Sequence, residues 1–236
     1  MTATLQGISS MATRQVLAEL AADWERRSGQ RVAIESVGGV DAAKRVAAGE
    51  PFDFVVLARD AIEKLVAGGQ AVPGTRVDLV DSGVAIAVRA GAPRPDVASE
   101  EALRRAVLAA PTVGYSTGPS GVALVRLFER WGIAQELQGR LVQAPPGVPV
   151  GALVARGEVA LGFQQLSELI HLEGIELAGA MPGAVQITTT FSGALCQASS
   201  QGQAVRAMLA FMASPDAAAA KRRNGMEPAE HEEDKQ

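Results

Sequence analysis

The sequence predicts an α/β fold of two lobes, each a mainly parallel sheet flanked by helices, with a hinge of two crossover segments. Three observations carry this reading. Apolar runs of strand length alternate with amphipathic, helix-period stretches between residues 4 and 69. A second alternating series starts at Val84. A long β-rich stretch, Val185 to Leu195, then offers a return path to the first sheet.

The first lobe reads in the order β-α-β-α-β-α, which implies parallel strands and right-handed crossovers. Thr4 to Ile8 is a short strand, and Ser9-Ser10 caps a helix running to about Arg27 with Val16, Leu17, Leu20 and Trp24 on one face. Ser28-Gly29 stops it. Arg31 to Val37 is the next strand, Gly38-Gly39 opens a helix through Ala48, and Gly49 ends it. Phe54 to Leu57 is apolar throughout, as a strand buried on both faces would be. Ala61 to Ala67 is a short helix closed by Gly68-Gly69.

The chain is expected to cross near Asp81 to Val88, with Val84 to Val88 as a strand and a turn at Gly91 to Pro95. Ser99-Glu100-Glu101 caps the helix Ala102 to Ala109. Val113 to Tyr115 is a strand, and Ser116-Thr117-Gly118-Pro119-Ser120-Gly121 leads into the helix Val122 to Trp131. Leu141 to Gln143 is a strand, and Pro145-Pro146-Gly147 precedes the helix Val150 to Arg156. Val159 to Phe163 is a strand with Gln164-Gln165 at its end. After the return near Val185 to Phe191 come the helices Ala204 to Met212 and Ser214 to Arg223. Residues 1–82 with 188–226 form one lobe and 83–187 the other, leaving 227–236 as an acidic disordered tail.

Composition narrows the function. Apolar residues are 47% and aromatics 4%, so Ala, Val and Leu must fill the core. The net charge of -4 is carried by the tail, where Glu227, Glu230, Glu232, Glu233 and Asp234 face one Lys235. The near-neutral body lacks the basic face that nucleic-acid binding needs. Cys196 is the single cysteine and reads as a buried small hydrophobe; His171 reads as a surface or packing residue. No Cys/His cluster suggests a metal, and no cofactor motif appears: the GPSG segment lacks both GK[ST] and G-x-G-x-x-G spacing. No run of 18 apolar residues would insert in a membrane. No signal peptide precedes the first strand, so the chain is expected in the cytoplasm if complete and in the periplasm if a leader was removed.

In parallel α/β sheets ligands bind outside the carboxyl ends of strands. Ser9, Ser10, Met11, Gly38, Gly39, Ser116, Thr117, Ser120, Gly121, Val148, Gln164 and Gln165 fall at such ends. Several open helices, whose first-turn amides and dipole favour an anion without needing a cation. Arg59 follows the third strand and would suit a carboxylate, whereas Arg14 and Lys44 lie further along their helices.

The segments GISSMATRQVLAELAADWERRSGQRV, ESVGGVDAAKRVAAGEPFDFVVLA, YSTGPSGVALVRLFERWGI and VGALVARGEVALGFQQ, in this order, resemble the periplasmic molybdate-binding proteins, the type II solute-binding components of ABC importers. The likeness spans about residues 4–226. It implies a monomer that closes on a small anion in an interlobe cleft, with an ABC permease and ATPase as partners. The family's oxyanion ligands map onto Ser9 or Ser10, Gly39, the Thr117 to Gly121 loop, Val148 and Gln165. Here Gly38-Gly39 replaces a serine and Gln165 a tyrosine, which removes two hydroxyls and widens the cleft. A di- or tricarboxylate is therefore expected over molybdate.

The same resemblance extends to aconitate isomerases, so the alternative is a cytoplasmic, cofactor-independent isomerase of an unsaturated carboxylic acid. That chemistry needs a general base beside an allylic carbon. Tyr115, Glu35, Asp53 and Glu168 are the candidates, and none forms a dyad in the sequence. Binding is thus expected ahead of catalysis.

Overall fold

The computed structural model describes residues 3–229. β1 (Leu5–Ser10) is flanked by β2 (Val32–Val37) and β3 (Phe54–Ala58), and all three are parallel. The register sets Ser9 opposite Ser36 and Ser10 opposite Val37. β4 (Val77–Arg89) and β9 (Thr188–Leu195) are neighbours, and β9 runs antiparallel beside β3. A helix follows each parallel strand: α1 (Arg14–Ser28), α2 (Gly39–Ala47) and α3 (Arg59–Ala67). Gly29, at φ 71°, closes α1 by donating its amide to the Glu25 carbonyl.

β3 is buried on both faces. Phe54 and Val56 pack with Leu17 and Leu20 of α1 and with Leu209 and Met212 of α8 (Gly202–Ala213), while Val55 and Leu57 pack with Val46 and Ile62. Gly7 has no alternative in β1, because a Cβ there would lie 2.1 Å from Phe54 Cζ.

The chain divides at Ser82/Gly83 and Thr189/Thr190 into two units, so β4 and β9 carry it across. In the second unit β8 (Ile175–Ala180) and β7 (Leu161–Gln165) both pair antiparallel with β4. β5 (Val113–Tyr115) is parallel to β7 and to β6 (Leu141–Gln143). The helices are α4 (Glu100–Ala109), α5 (Pro119–Arg130), α6 (Val150–Ala155) and α7 (Leu166–Leu169). Ile86, Leu103, Val113, Leu124, Phe128 and Phe163 share one core cluster, and Val150, Leu153, Val154 and Val159 another.

Several expectations are corrected. β1 runs through Ser9 and Ser10, and the helix is preceded by the 3-10 turn Met11–Thr13. β4 starts at Val77, seven residues before the expected Val84, because main-chain pairing overrides its Asp, Ser and Gly. β9 starts at Thr188, after a 3-10 turn at Gly183–Val185. β8 was not expected, since Ile-Glu-Leu-Ala-Gly-Ala lacks a β-branched pattern. The tail begins later than expected: β10 (Glu227–Pro228) pairs antiparallel with Val80 and Asp81, and Ala229 is buried. The remainder of the expected disordered tail, 230–236, lies outside the described residues. No helix is long and apolar enough to cross a membrane among the described residues.

Candidate functional site

Because β1, β2 and β3 are parallel, their carboxyl ends share one edge of the first unit's sheet. Ser9 Oγ lies 2.8 Å from Ser36 Oγ, and Ser9 is fully buried. This pair ties β1 to β2, so Ser9 is a strut. Ser10 is only half-buried; its hydroxyl accepts the Ala12 amide at 3.3 Å. A Cβ at position 39 would lie 3.7 Å from Ser10 Oγ, so the hydroxyl and the start of α2 meet. Gly38 caps α2, and no side chain closes its first turn. Met11 is half-buried beside them in sequence. Ser36 was not singled out from the sequence, and only the pairing register brings it to Ser9.

Arg59 starts α3 at the end of β3, where a carboxylate contact was expected. Its guanidinium is instead paired with Asp78 at 2.5 Å, and Asp78 also accepts the Ser192 hydroxyl at 2.6 Å. Arg59 thus braces α3 against β4 and β9. Arg14 lines an open pocket of about 590 Å³ with Ala18, Glu25, Val32, Ile34 and Ser36, along α1 and β2.

In the second unit β5, β6 and β7 are parallel through their pairings and present a matching edge. Ser116 Oγ and Ser120 Oγ are 3.3 Å apart, with exposed Thr117 between them in the chain. Gly118 caps α5 without a side-chain bond, and Pro119 follows with no N–H to satisfy. Gly121 answers to packing: a Cβ there would lie 1.8 Å from the Ser116 carbonyl oxygen. The backbone thereby fixes Ser116 against α5.

Three further candidate residues also form bonds within the second unit. The Val148 amide donates to the Pro145 carbonyl at 3.0 Å, in a turn with Gly147 at φ 77°. Gln164 accepts the Gly151 amide at 3.0 Å and donates to Glu168 at 2.7 Å, which caps α6 from β7. Gln165 is buried and donates to the Thr189 hydroxyl at 3.0 Å. A carboxamide can form these structural bonds in β7 as readily as it could hold a ligand, so the sequence could not separate the two roles.

The base candidates now differ sharply. Arg45 lies 2.6 Å from Glu35 and holds its carboxyl below the usual range. Asp53 accepts the Gln6 amide at 2.8 Å, the Ser199 hydroxyl at 2.6 Å and the Gln201 carboxamide at 3.1 Å. Tyr115 packs against the second unit's core. Burial pushes the Glu168 carboxyl up to about 7, against the Gln164 bond that lowers it. Among the described residues no group of His, Cys, Asp and Glu is placed to hold a metal ion.

The chain is 40% identical over 231 residues to a Pseudomonas sp protein named aconitate isomerase, covering 95% of this chain and 88% of that one. The periplasmic molybdate-binding protein of Azotobacter vinelandii has the same fold, with a TM-score of 0.79 and 20% identity over 96% of this chain and all (100%) of that one. The sulfate-binding protein SubI of Mycobacterium tuberculosis H37Rv also superposes, with a TM-score of 0.79 and 15% identity over 98% and 88% of the two chains. Residues 5–227 match the family described as bacterial extracellular solute-binding protein, and the chain belongs to it.

Proposed function

We propose that the chain binds aconitate, an unsaturated tricarboxylate, and interconverts its cis and trans forms without a cofactor. The observation that carries this reading is the 40% identity, along 95% of the chain, to a relative named for that reaction. The site residues support it. Ser10 and the uncapped start of α2 supply a hydroxyl and a positive dipole end to a carboxylate. Ser116, Ser120 and the start of α5 offer the same donor types. Gly39 carries no side chain beside Ser10, where a Cβ would lie 3.7 Å from the Ser10 hydroxyl oxygen, and an organic anion can use that space. Arg59, held by Asp78, is given no part in binding.

The test is a 1H NMR time course of cis-aconitate with catalytic protein. Appearance of the trans isomer supports the reading, and an unchanged spectrum at high protein concentration refutes it.

The family's description favours a second reading, a solute-binding component that delivers the same anion to a membrane permease and its ATPase. Thermal shift with aconitate, molybdate and sulfate tests it. Stabilisation by aconitate without conversion favours delivery, and stabilisation by molybdate alone refutes the carboxylate in both readings.

A further inference from the structure

We propose that Glu168 is the general base of the isomerisation, taking the proton from the CH2 carbon of aconitate. The inference rests on the reading above. Its ground is the disposition of the carboxylates. Glu35 and Glu50 share Arg45, Asp53 accepts three bonds, and Asp78 and Asp81 hold the Ser192 and Thr190 hydroxyls. Asp41 and Asp60, in the first turns of α2 and α3, are exposed to solvent.

Glu168 is half-buried and has a single donor among the described residues, the Gln164 carboxamide at 2.7 Å. It follows β7 directly, on the sheet edge to which the parallel strand β5 delivers Ser116. Gln164 is itself fixed by the Gly151 amide, so the carboxyl has a defined orientation. The strands and helix around it add little competing charge. β7 and α6 carry no titratable side chain, and Glu176 of β8 is paired with Arg94. Its raised affinity for a proton suits a base that must be partly ionised at neutral pH and still accept a carbon-bound proton.

The step balances. The allylic C–H bond breaks, its proton goes to a Glu168 oxygen, and the electron pair spreads over the three-carbon unit and its carboxylates. The torsion about the bond between the former CH2 carbon and the central carbon then sets the geometry of the new double bond. The proton is returned to the opposite terminal carbon, and Glu168 is again an anion. The carbon skeleton is symmetric about its central carbon, so moving the double bond regenerates aconitate, and the other geometry results when the CH2 arm is held in the corresponding torsion. Nothing is oxidised or reduced.

The experiment compares wild type, E168Q and E168D, using cis-aconitate in D2O. Wild type is expected to convert it and to place deuterium at the CH2 carbon. E168Q keeps an acceptor for Gln164, so it should fold and still be thermally stabilised by aconitate, while kcat falls roughly 10²- to 10⁴-fold and exchange stops. E168D should retain partial activity with its acidic pH limb displaced. If E168Q binds aconitate and keeps kcat and exchange within a few-fold of wild type, Glu168 is not the base and the isomerase reading stands. If wild type neither converts nor exchanges aconitate, the isomerase reading falls and this inference with it.

Discussion

Replacing Glu168 by Gln should change stability in a pH-dependent way that needs no substrate to observe. The carboxyl titrates at 4.5 when unfolded and at about 7 when folded, because burial penalises its anion. Between those values the folded chain keeps a proton that the unfolded chain has lost. The contribution is therefore whole below pH 4.5 and is lost as pH rises through 7. At about 1.4 kcal/mol per tenfold change, the full loss is about 3 kcal/mol, reduced where the half-buried side chain stays hydrated. Glutamine has the same shape, accepts the same Gln164 bond and cannot ionise. Urea denaturation at pH 5 and pH 8 is the assay. E168Q should match wild type within about 1 kcal/mol at pH 5 and exceed it by about 2 kcal/mol at pH 8. A difference that is constant across this range would refute the buried-carboxyl argument.

Lys221 is almost fully buried, and desolvation lowers its amine to about 8. The charged form is thus disfavoured in the fold, and stability from this group rises with pH between 8 and 10.5. K221M should be more stable than wild type at pH 7 by about 2 kcal/mol by urea denaturation, the gain shrinking towards pH 10. G121A drives a methyl to 1.8 Å from the Ser116 carbonyl, so it should lower stability by about 1–3 kcal/mol and weaken aconitate binding together. G39S has room, at 3.7 Å from Ser10 Oγ, and adds a hydroxyl where none is present. It should leave the melting temperature within a few degrees and raise affinity for molybdate relative to aconitate, read by calorimetry.

Much of the fold was legible because β3 and the strands around it are short apolar runs separated by amphipathic helices with Gly at their ends. What was not legible depends on long-range pairing. The Asp- and Ser-bearing start of β4, the edge strand β8 and the pairing of Glu227 and Pro228 are made by partners far away in sequence. The candidate site divides in the same way. Ser10 and the starts of α2 and α5 were visible as small residues between strand and helix. The pairing of Ser9 with Ser36, of Arg59 with Asp78 and of Gln165 with Thr189 was not, since each links segments that only the folded sheet brings together. Glu168 was one of four candidate bases in the sequence, with nothing there to set it above Tyr115, Glu35 and Asp53. The desolvation that raises its proton affinity is a property of tertiary packing.

The most direct measurement is to start separate reactions from pure cis- and pure trans-aconitate with purified wild-type chain and follow both by 1H NMR. An isomerase must drive the two mixtures to one common cis:trans ratio, at rates proportional to protein concentration, and that is the expected result. Two mixtures that remain as prepared, while the protein is still thermally stabilised by aconitate, would contradict catalysis and leave an anion-binding protein.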